Sequence, residues 1–232
     1  MRSRHVALLG LLMAALLLGA CAPKQKSKDE LFAAVYAESP RSILVLPPMN
    51  LSTAAEAIEY YSTTVYEPLA FTGYYVLPYE VTTDILRREG YTDTAEFEHT
   101  PLETFRDFFG ADAVLFTKIK KWNTSYLVLA SNLTVEIECA LRSTKTGQEL
   151  WKYNGVVVVD LSGNNANMGH PLATLLVQAI ATAVRTASAD YVPYARMVNY
   201  QVMAAMPVGP YHPRYLQDQR DMVIDQVPPK TK

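Results

Sequence analysis

Residues 132–142 constrain this chain more tightly than any other stretch. Leu133, Val135, Ile137, Cys139 and Leu141 alternate with Asn132, Thr134, Glu136, Glu138 and Arg142. Successive side chains of a strand point to opposite faces, so a period of two puts the apolar set against a core and the polar set in water. A helix has a period of 3.6 and cannot bury this pattern on one side. A half-buried strand is therefore predicted. Lys145-Thr146-Gly147 supplies a tight turn after it, and Glu149 to Asp160, ending in Val156-Val157-Val158-Val159, is the predicted return strand. Ala113 to Trp122 is predicted as the strand before the hairpin. Together the three form an antiparallel meander.

The segment before the meander has a different rhythm. Ser42-Ile43-Leu44-Val45-Leu46 is a continuous apolar run stopped by Pro47-Pro48, as expected of a strand buried on both faces. Ser52 or Thr53 is expected to cap the next helix, with Glu56 near the capping-box position. Ala54, Ile58, Tyr61, Val65 and Leu69 form its predicted buried face. Tyr74 to Leu77 is a second short strand, and Val81 to Glu89 a second helix closed by Gly90. Thr100 is placed to cap a short helix from Pro101 to Phe109. After the meander, Ser162 to Gly169 reads as a loop. Pro171 to about Ala189 reads as an Ala-rich helix, and Pro193 to Ala205 as another. Strands separated by helices, followed by a meander, predict an α/β sandwich: a mixed sheet with helices packed on it.

The N-terminus addresses the chain. Arg2 and Arg4 precede the apolar run Val6 to Leu18, which is short for a membrane span, and Leu18-Gly19-Ala20-Cys21 follows. This is the layout of a secretory signal ending in a lipobox, with acyl chains on Cys21 and cleavage before it. Ala22, rather than Asp, follows the cysteine, which under the enterobacterial sorting rule directs the protein to the outer membrane. The expected organisation is a signal peptide over 1–20 and a lipidated, flexible tether over 21–30. An α/β domain over 31–206 and a Pro- and Tyr-rich tail over 207–232 follow. Half of the residues are apolar, enough for a substantial core. The net charge is −2 before the two signal arginines are removed, so no basic excess favours nucleic acid. Cys139 is the remaining cysteine and is read as a buried free thiol.

Four segments permit a comparison. Ser42 to Asn50 (SILVLPPMN), Gly73 to Pro78 (GYYVLP), Gly110 to Leu115 (GADAVL) and Gly147 to Trp151 (GQELW) occur in this order. Together they resemble a family of bacterial lipoproteins of unknown function that includes a meningococcal surface-antigen candidate. The likeness spans nearly all of the chain after Cys21. More distantly, the pattern is similar to the periplasmic domain of the curli-secretion lipoproteins and to the N-terminal domain of the Tol-system β-propeller protein. Here Pro48-Met49 replaces the Pro-Phe of those relatives. The resemblance implies an assembly or accessory role at the outer membrane and carries no catalytic residues.

The individual motifs add little chemistry. His99, His170 and His212 have no Cys or second His at metal-ligand spacing, so no metal or other cofactor is expected. Glu136 and Glu138 share a strand face, where paired carboxylates can serve acid–base chemistry if burial raises one pKa, but the polar neighbours point to a solvated surface. Asn50, Asn123 and Asn132 head incidental glycosylation sequons. The loop before Pro171, with Asn164, Asn165, Asn167 and His170, is a candidate anion cradle without a recognised phosphate-binding pattern. Fifteen tyrosines is a high number. Tyr191, Tyr194, Arg196, Tyr200, Tyr211, Arg214 and Tyr215 crowd the C-terminal stretch and form a candidate partner surface, since Tyr and Arg are enriched in binding hot spots.

The expectation is a lipid-anchored, non-enzymatic envelope protein facing the periplasm. It would act as an assembly factor for envelope proteins or as a homo-oligomer. The alternative is a binding module for a small anion, lipid or envelope polymer. Replacing Cys21 with Ser in the full-length chain is expected to abolish incorporation of a tagged fatty acid. Equal labelling of the variant would exclude Cys21 as the lipidation site.

Overall fold

The long hairpin organises the fold. The computed structural model describes residues 25–126, 131–160 and 191–224. Its strands and helices run in the order β1 (Gln25–Ser27), α1 (Lys28–Glu38), β2 (Ser42–Val45), β3 (Met49–Asn50), α2 (Ala57–Thr64), α3 (Tyr66–Phe71), β4 (Tyr75–Val76), α4 (Tyr79–Arg88), α5 (Leu102–Phe109), β5 (Ala113–Tyr126), β6 (Ser131–Ser143), β7 (Glu149–Asp160), α6 (Val192–Met203) and β8 (Met222–Ile224). The main sheet has the order β4-β2-β5-β6-β7, with β3 also paired to β5. β4, β2 and β5 are parallel, while β5, β6 and β7 are antiparallel. The expected mixed sheet with a meander and packed helices is the fold observed, and the sheet does not close into a barrel among the described residues.

The alternating stripe lands where its period requires. Leu133, Val135, Ile137, Cys139 and Leu141 are fully buried. Each large aliphatic side chain of that stripe contributes about 1.5–3 kcal/mol by leaving water. Helices α1, α2, α3 and α6 cover this face in one core with Tyr61, Leu69, Trp151 and Val198. A second core on the opposite face lies under α4 and α5, with Leu44, Leu86, Phe97, Phe105 and Phe116. Both faces of β2 are therefore buried, as its unbroken apolar run requires.

Two bulges adjust the period. The β5–β6 register shifts between Ile119 and Lys121, so Ile119 and Trp122 face the same core although three residues apart. The β6–β7 register shifts beside Leu150, and Leu150 and Trp151 are consecutive yet both buried. An inserted residue turns the following side chains over without breaking the sheet. At Pro47-Pro48 two backbone donors are missing, which ends β2 before β3 resumes pairing with β5 at Lys118 and Ile119.

Several local expectations change. Helix α2 starts at Ala57, and its cap position is Glu56 without a side-chain cap bond. Ser52 instead donates its hydroxyl and its backbone N–H to Asn50 Oδ1, at 2.7 and 3.0 Å. The side chain of Asn50 has captured this turn, competing with a helix start as Asx turns do. Tyr61, Val65 and Leu69 are buried as expected, but Ala57 rather than Ile58 continues that face at the start of the helix. Thr100 donates to the carbonyl of Glu96, closing the preceding 3-10 turn (Glu96–Glu98) instead of capping α5.

Of the residues expected in the tether, Gln25–Ser27 form a strand paired with β8 and Lys28 opens α1 with a buried side chain. Residues 207–224 do not stand apart from the domain. The N–H groups of Gly209 and Tyr211 donate to the carbonyls of Thr72 and Gly73, at 2.7 and 3.0 Å. Gly73 has φ +86, and a Cβ there would overlap the backbone and Cβ of His212. Replacing Gly73 with Ala combines left-handed strain with that overlap and is expected to cost more than about 2 kcal/mol. Gly90 has φ +94 and open space, so Gly90→Ala serves as the strain-only control. Urea midpoints of the two variants measure the difference, and equal losses would remove His212 packing from the account.

Candidate functional site

The two ends of the described chain are fastened together. β1 and β8 pair antiparallel, with Gln25 opposite Ile224 and Ser27 opposite Met222. The backbone N–H of Lys28 donates to Asp221 O, and that of Asp29 to Gln219 O, both at 3.0 Å. The Lys28 ammonium is buried, donating to Met206 O at 2.8 Å and to Asp218 Oδ2 at 3.3 Å. The same carboxylate oxygen accepts the N–H of Val208 at 2.9 Å. Burial lowers the Lys28 pKa, while the Asp218 charge and hydrogen bond oppose the shift. Tyr74 donates to Pro207 O at 2.9 Å, and burial holds its phenol well above the usual range. Removing either member of a buried ion pair leaves the other uncompensated, a loss of about 3–5 kcal/mol. The pair therefore ties the N-terminal strand, the end of α6 and the C-terminal segment into one unit.

The expected Tyr/Arg surface resolves into intramolecular contacts and an exposed remainder. Tyr191 meets Tyr60 edge-on, with ring centroids 6.0 Å apart, and Tyr194 packs on the larger core. Arg196 Nε lies 3.1 Å from Glu67 Oε2. Tyr200 lies against Phe71, and its phenol is pushed up to about 12, first by burial and then by Glu67. Tyr215 donates to Ser39 Oγ at 2.6 Å. Arg214 Nη2 donates to both carboxylate oxygens of Asp221 at 3.0 Å, with its remaining surface exposed. Tyr211 is 64% exposed. Cys21, Asn164, Asn165, Asn167, His170 and the helix predicted from Pro171 lie outside the described residues.

The polar face of the meander carries a ladder of charges. Glu98 lies 3.3 Å from Lys118 Nζ and 3.7 Å from Arg142 Nη2, and the Arg142 guanidinium stacks 4.7 Å over the Phe116 ring. Lys120, the bulge residue, reaches Glu138 at 2.7 Å and Asn154 Oδ1 at 3.3 Å. The Lys120 hydrogen bond lowers the Glu138 pKa against the opposing effect of burial, and the charges of Lys120, Lys118 and Lys152 lower it further. A general acid needs the opposite shift. Cys139 is a buried free thiol with its pKa raised to about 12 by burial, and Thr117 Oγ1 lies 3.7 Å from its sulfur.

A cleft of about 600 Å³ opens beside α2 and α4, lined by Pro47, Ile58, Ser62, Tyr79, Leu86 and Phe97. Pro47 and Tyr79 follow the carboxyl ends of the parallel strands β2 and β4, where open α/β sheets hold ligands. Ser62 and Tyr79 share a 2.8 Å hydrogen bond in its wall. Among the described residues, no group of three or more His, Cys, Asp or Glu side chains is arranged to hold a metal ion. No helix among them is long and apolar enough to cross a membrane.

This architecture defines an α/β sandwich domain whose first described strand begins four residues after Cys21. The chain belongs to the GNA1162-like lipoprotein family, described as "Putative lipoprotein GNA1162-like", which it matches over residues 31–210. It is 33% identical over 179 residues to the lipoprotein NMB1124/NMB1162 of Neisseria meningitidis serogroup B, covering 77% of this chain and 81% of that one. The crystal structure of lipoprotein GNA1162 from Neisseria meningitidis is 30% identical, with a TM-score of 0.48 over 64% of this chain and 100% of that chain. The PelC dodecamer from Paraburkholderia phytofirmans is 12% identical, with a TM-score of 0.40 over 74% of this chain and 90% of that chain.

Two of the residues that close the fold escape sequence reasoning. Lys28 sits in a polar, lysine-rich stretch that reads as tether, and nothing in that stretch marks it for burial. Asp218 lies in a segment of turns with no period. The charge ladder yields a pH prediction. Glu138 has a depressed folded pKa, so its stabilising contribution is complete above the unfolded value of about 4.5 and is lost as pH falls through the folded value. Lys120→Met is expected to raise the Glu138 pKa to or above the ordinary carboxylate range, as read by NMR titration. An unmoved value would show that Lys120 does not hold it down.

Proposed function

We propose that this protein is an outer-membrane lipoprotein that holds its α/β domain close to the periplasmic leaflet. There it acts as a non-catalytic accessory partner in an envelope assembly. The observation that carries the reading is the position of β1. The first described strand starts at Gln25, and the step from Cys21 to Gln25 spans at most about 14 Å even when fully extended. A domain on so short a leash meets partners at the membrane surface rather than deep in the periplasm. The β1–β8 pair and the buried Lys28–Asp218 contact transmit any pull on the anchor directly into the core. Several acyl chains at about 0.8 kcal/mol per buried methylene hold such an anchor firmly.

The accessory role, rather than catalysis, is supported by the Glu136/Glu138 strand face, where Glu138 is ion-paired and shifted toward its charged form. Exposed Tyr211 and Arg214 remain available for a partner on the same C-terminal segment that fastens the anchor strand.

The test uses lipidated protein in its native membrane, with a fluorophore at Met222→Cys, an exposed position opposite Ser27. Quencher-labelled lipid headgroups are expected to quench it several-fold more than in a variant with twenty Gly/Ser residues inserted after Lys24. Density-gradient fractionation is expected to place the protein with the outer membrane. Equal quenching in both proteins would remove the short leash, and recovery with the inner membrane would remove the location.

A further inference from the structure

We propose that the cleft between α2 and α4 is a binding site for a small organic cation, an ammonium group carried on an apolar body. The cleft lies where the sheet changes direction. β4 and β5 flank β2 on opposite sides, and all three strands are parallel. After β2 and β3, helices α2 and α3 carry the chain to β4 across the larger core. After β4, helices α4 and α5 carry it back past β2 to β5 across the smaller core, on the other face. Connections that leave neighbouring parallel strands for opposite faces diverge, and the gap outside the strand ends is a crevice made by the topology itself. Pro47, which follows β2, and Tyr79, which opens α4 after β4, both line it.

The walls suit an apolar body. The cleft has about 600 Å³, within the roughly 300–1,000 Å³ of small-molecule sites. Ile58, Leu86, Tyr91 and Phe97 line it, and the rings of Tyr91 and Phe97 have centroids 5.8 Å apart. Ile58 is the residue of the predicted apolar stripe that the core does not take up, and it is 39% exposed in the cleft wall. An apolar group seated against it removes that surface from water.

Charge identifies the rest of the ligand. Residues 47–98 hold nine acidic residues against two arginines, a net of −7 in a chain whose total is −2. Glu67, Asp84 and Glu98 are ion-paired with Arg196, Arg88 and Lys118. Glu59 and Glu80, the carboxylates of the cleft wall, make no ion pair among the described residues. They flank the Ser62–Tyr79 hydrogen bond: Glu59 stands one turn before Ser62 on α2, and Glu80 is next to Tyr79 on α4. Each is in the first turn of its helix, where negative charge interacts favourably with the helix dipole. Arg87, also in the wall, is in the last turn of α4, about 10 Å along the axis from Glu80. The cleft is therefore polarised. Its acidic end suits an ammonium group, aromatic walls favour the same group through the ring quadrupole, and a carboxylate or phosphate there would meet two like charges. The inference goes beyond the accessory role and needs neither the membrane location nor a protein partner.

The test is equilibrium dialysis of the full-length protein, purified from its own membrane into nanodiscs, with empty discs as the blank. Three probes share one apolar body: 4-phenylbutylammonium, 4-phenylbutanol and 4-phenylbutyrate. The ammonium is expected to bind at least fivefold more tightly than the alcohol, and the carboxylate at least fivefold more weakly than the alcohol. The double variant Glu59→Gln, Glu80→Gln is expected to lose the ammonium preference while its affinity for the alcohol stays within twofold. Glu30→Gln, which removes a carboxylate near Lys26 and outside the cleft, is expected to keep the preference. Ile58→Trp fills the cleft from an exposed helix position and is expected to weaken ammonium and alcohol binding at least tenfold. Thermal melts establish that each variant folds. Equal affinity for the three probes, a preference that survives the double variant, ammonium binding untouched by Ile58→Trp, or no saturable ammonium binding at about 10 mM would each overturn the proposal.

Discussion

Everything in this fold is hung on the buried face of β6. Its alternating side chains reach a single core only if β5 and β7 flank it in register, and both neighbours contain a bulge that restores the register where their own sequences depart from it. Ile119 and Trp122, or Leu150 and Trp151, would otherwise point to opposite sides. The bulges also set the polar face. By adding one residue, β5 brings Lys118, Lys120 and Lys121 to or near that surface, where Glu98 and Glu138 meet the first two. Packing of the apolar face thus dictates which charges meet on the other.

The ends of the chain depend on this frame indirectly. Helix α6 packs on α2 and α3 above the sheet, and the turn that follows it brings Met206 O to the Lys28 ammonium. The following segment folds over Gly73 and returns to β1, so that residues nearly two hundred apart share hydrogen bonds. A buried ion pair is a weak source of net stability compared with an apolar replacement. What it adds is a defined geometry: a lysine with two fixed acceptors seats β1 in one position, whereas a flexible apolar methionine would not.

The sequence revealed the parts of the fold governed by a local period. The meander, the doubly buried β2 and the helix ending at Gly110 follow from spacing, proline and glycine alone, because the physics deciding them acts within a few residues. Errors arose where two local preferences competed. Ser52 and Thr100 are good cap residues, but Asn50 and the Glu96 carbonyl bind them first. What lay beyond reach was long-range closure. Lys28 looks like solvent-exposed tether until Asp218 and Met206 are placed beside it, and no window of sequence contains all three. The tyrosines were conspicuous by number, yet their division between packing on Tyr60, Phe71 or Ser39 and exposure at Tyr211 depends on the tertiary fold.

The same distinction bears on how a lipid-anchored domain avoids uncontrolled association. Held in a plane with its copies, such a protein meets its own edges at high effective concentration, so an apolar strand edge is more hazardous there than in free solution. One remedy is a charge in the middle of the edge. This chain instead keeps Val156 and Val158 in the middle and places Lys152 and Asp160 at the flanks. Charge at the ends of an edge protects it less than charge at its centre, because the apolar middle still offers a template for another strand.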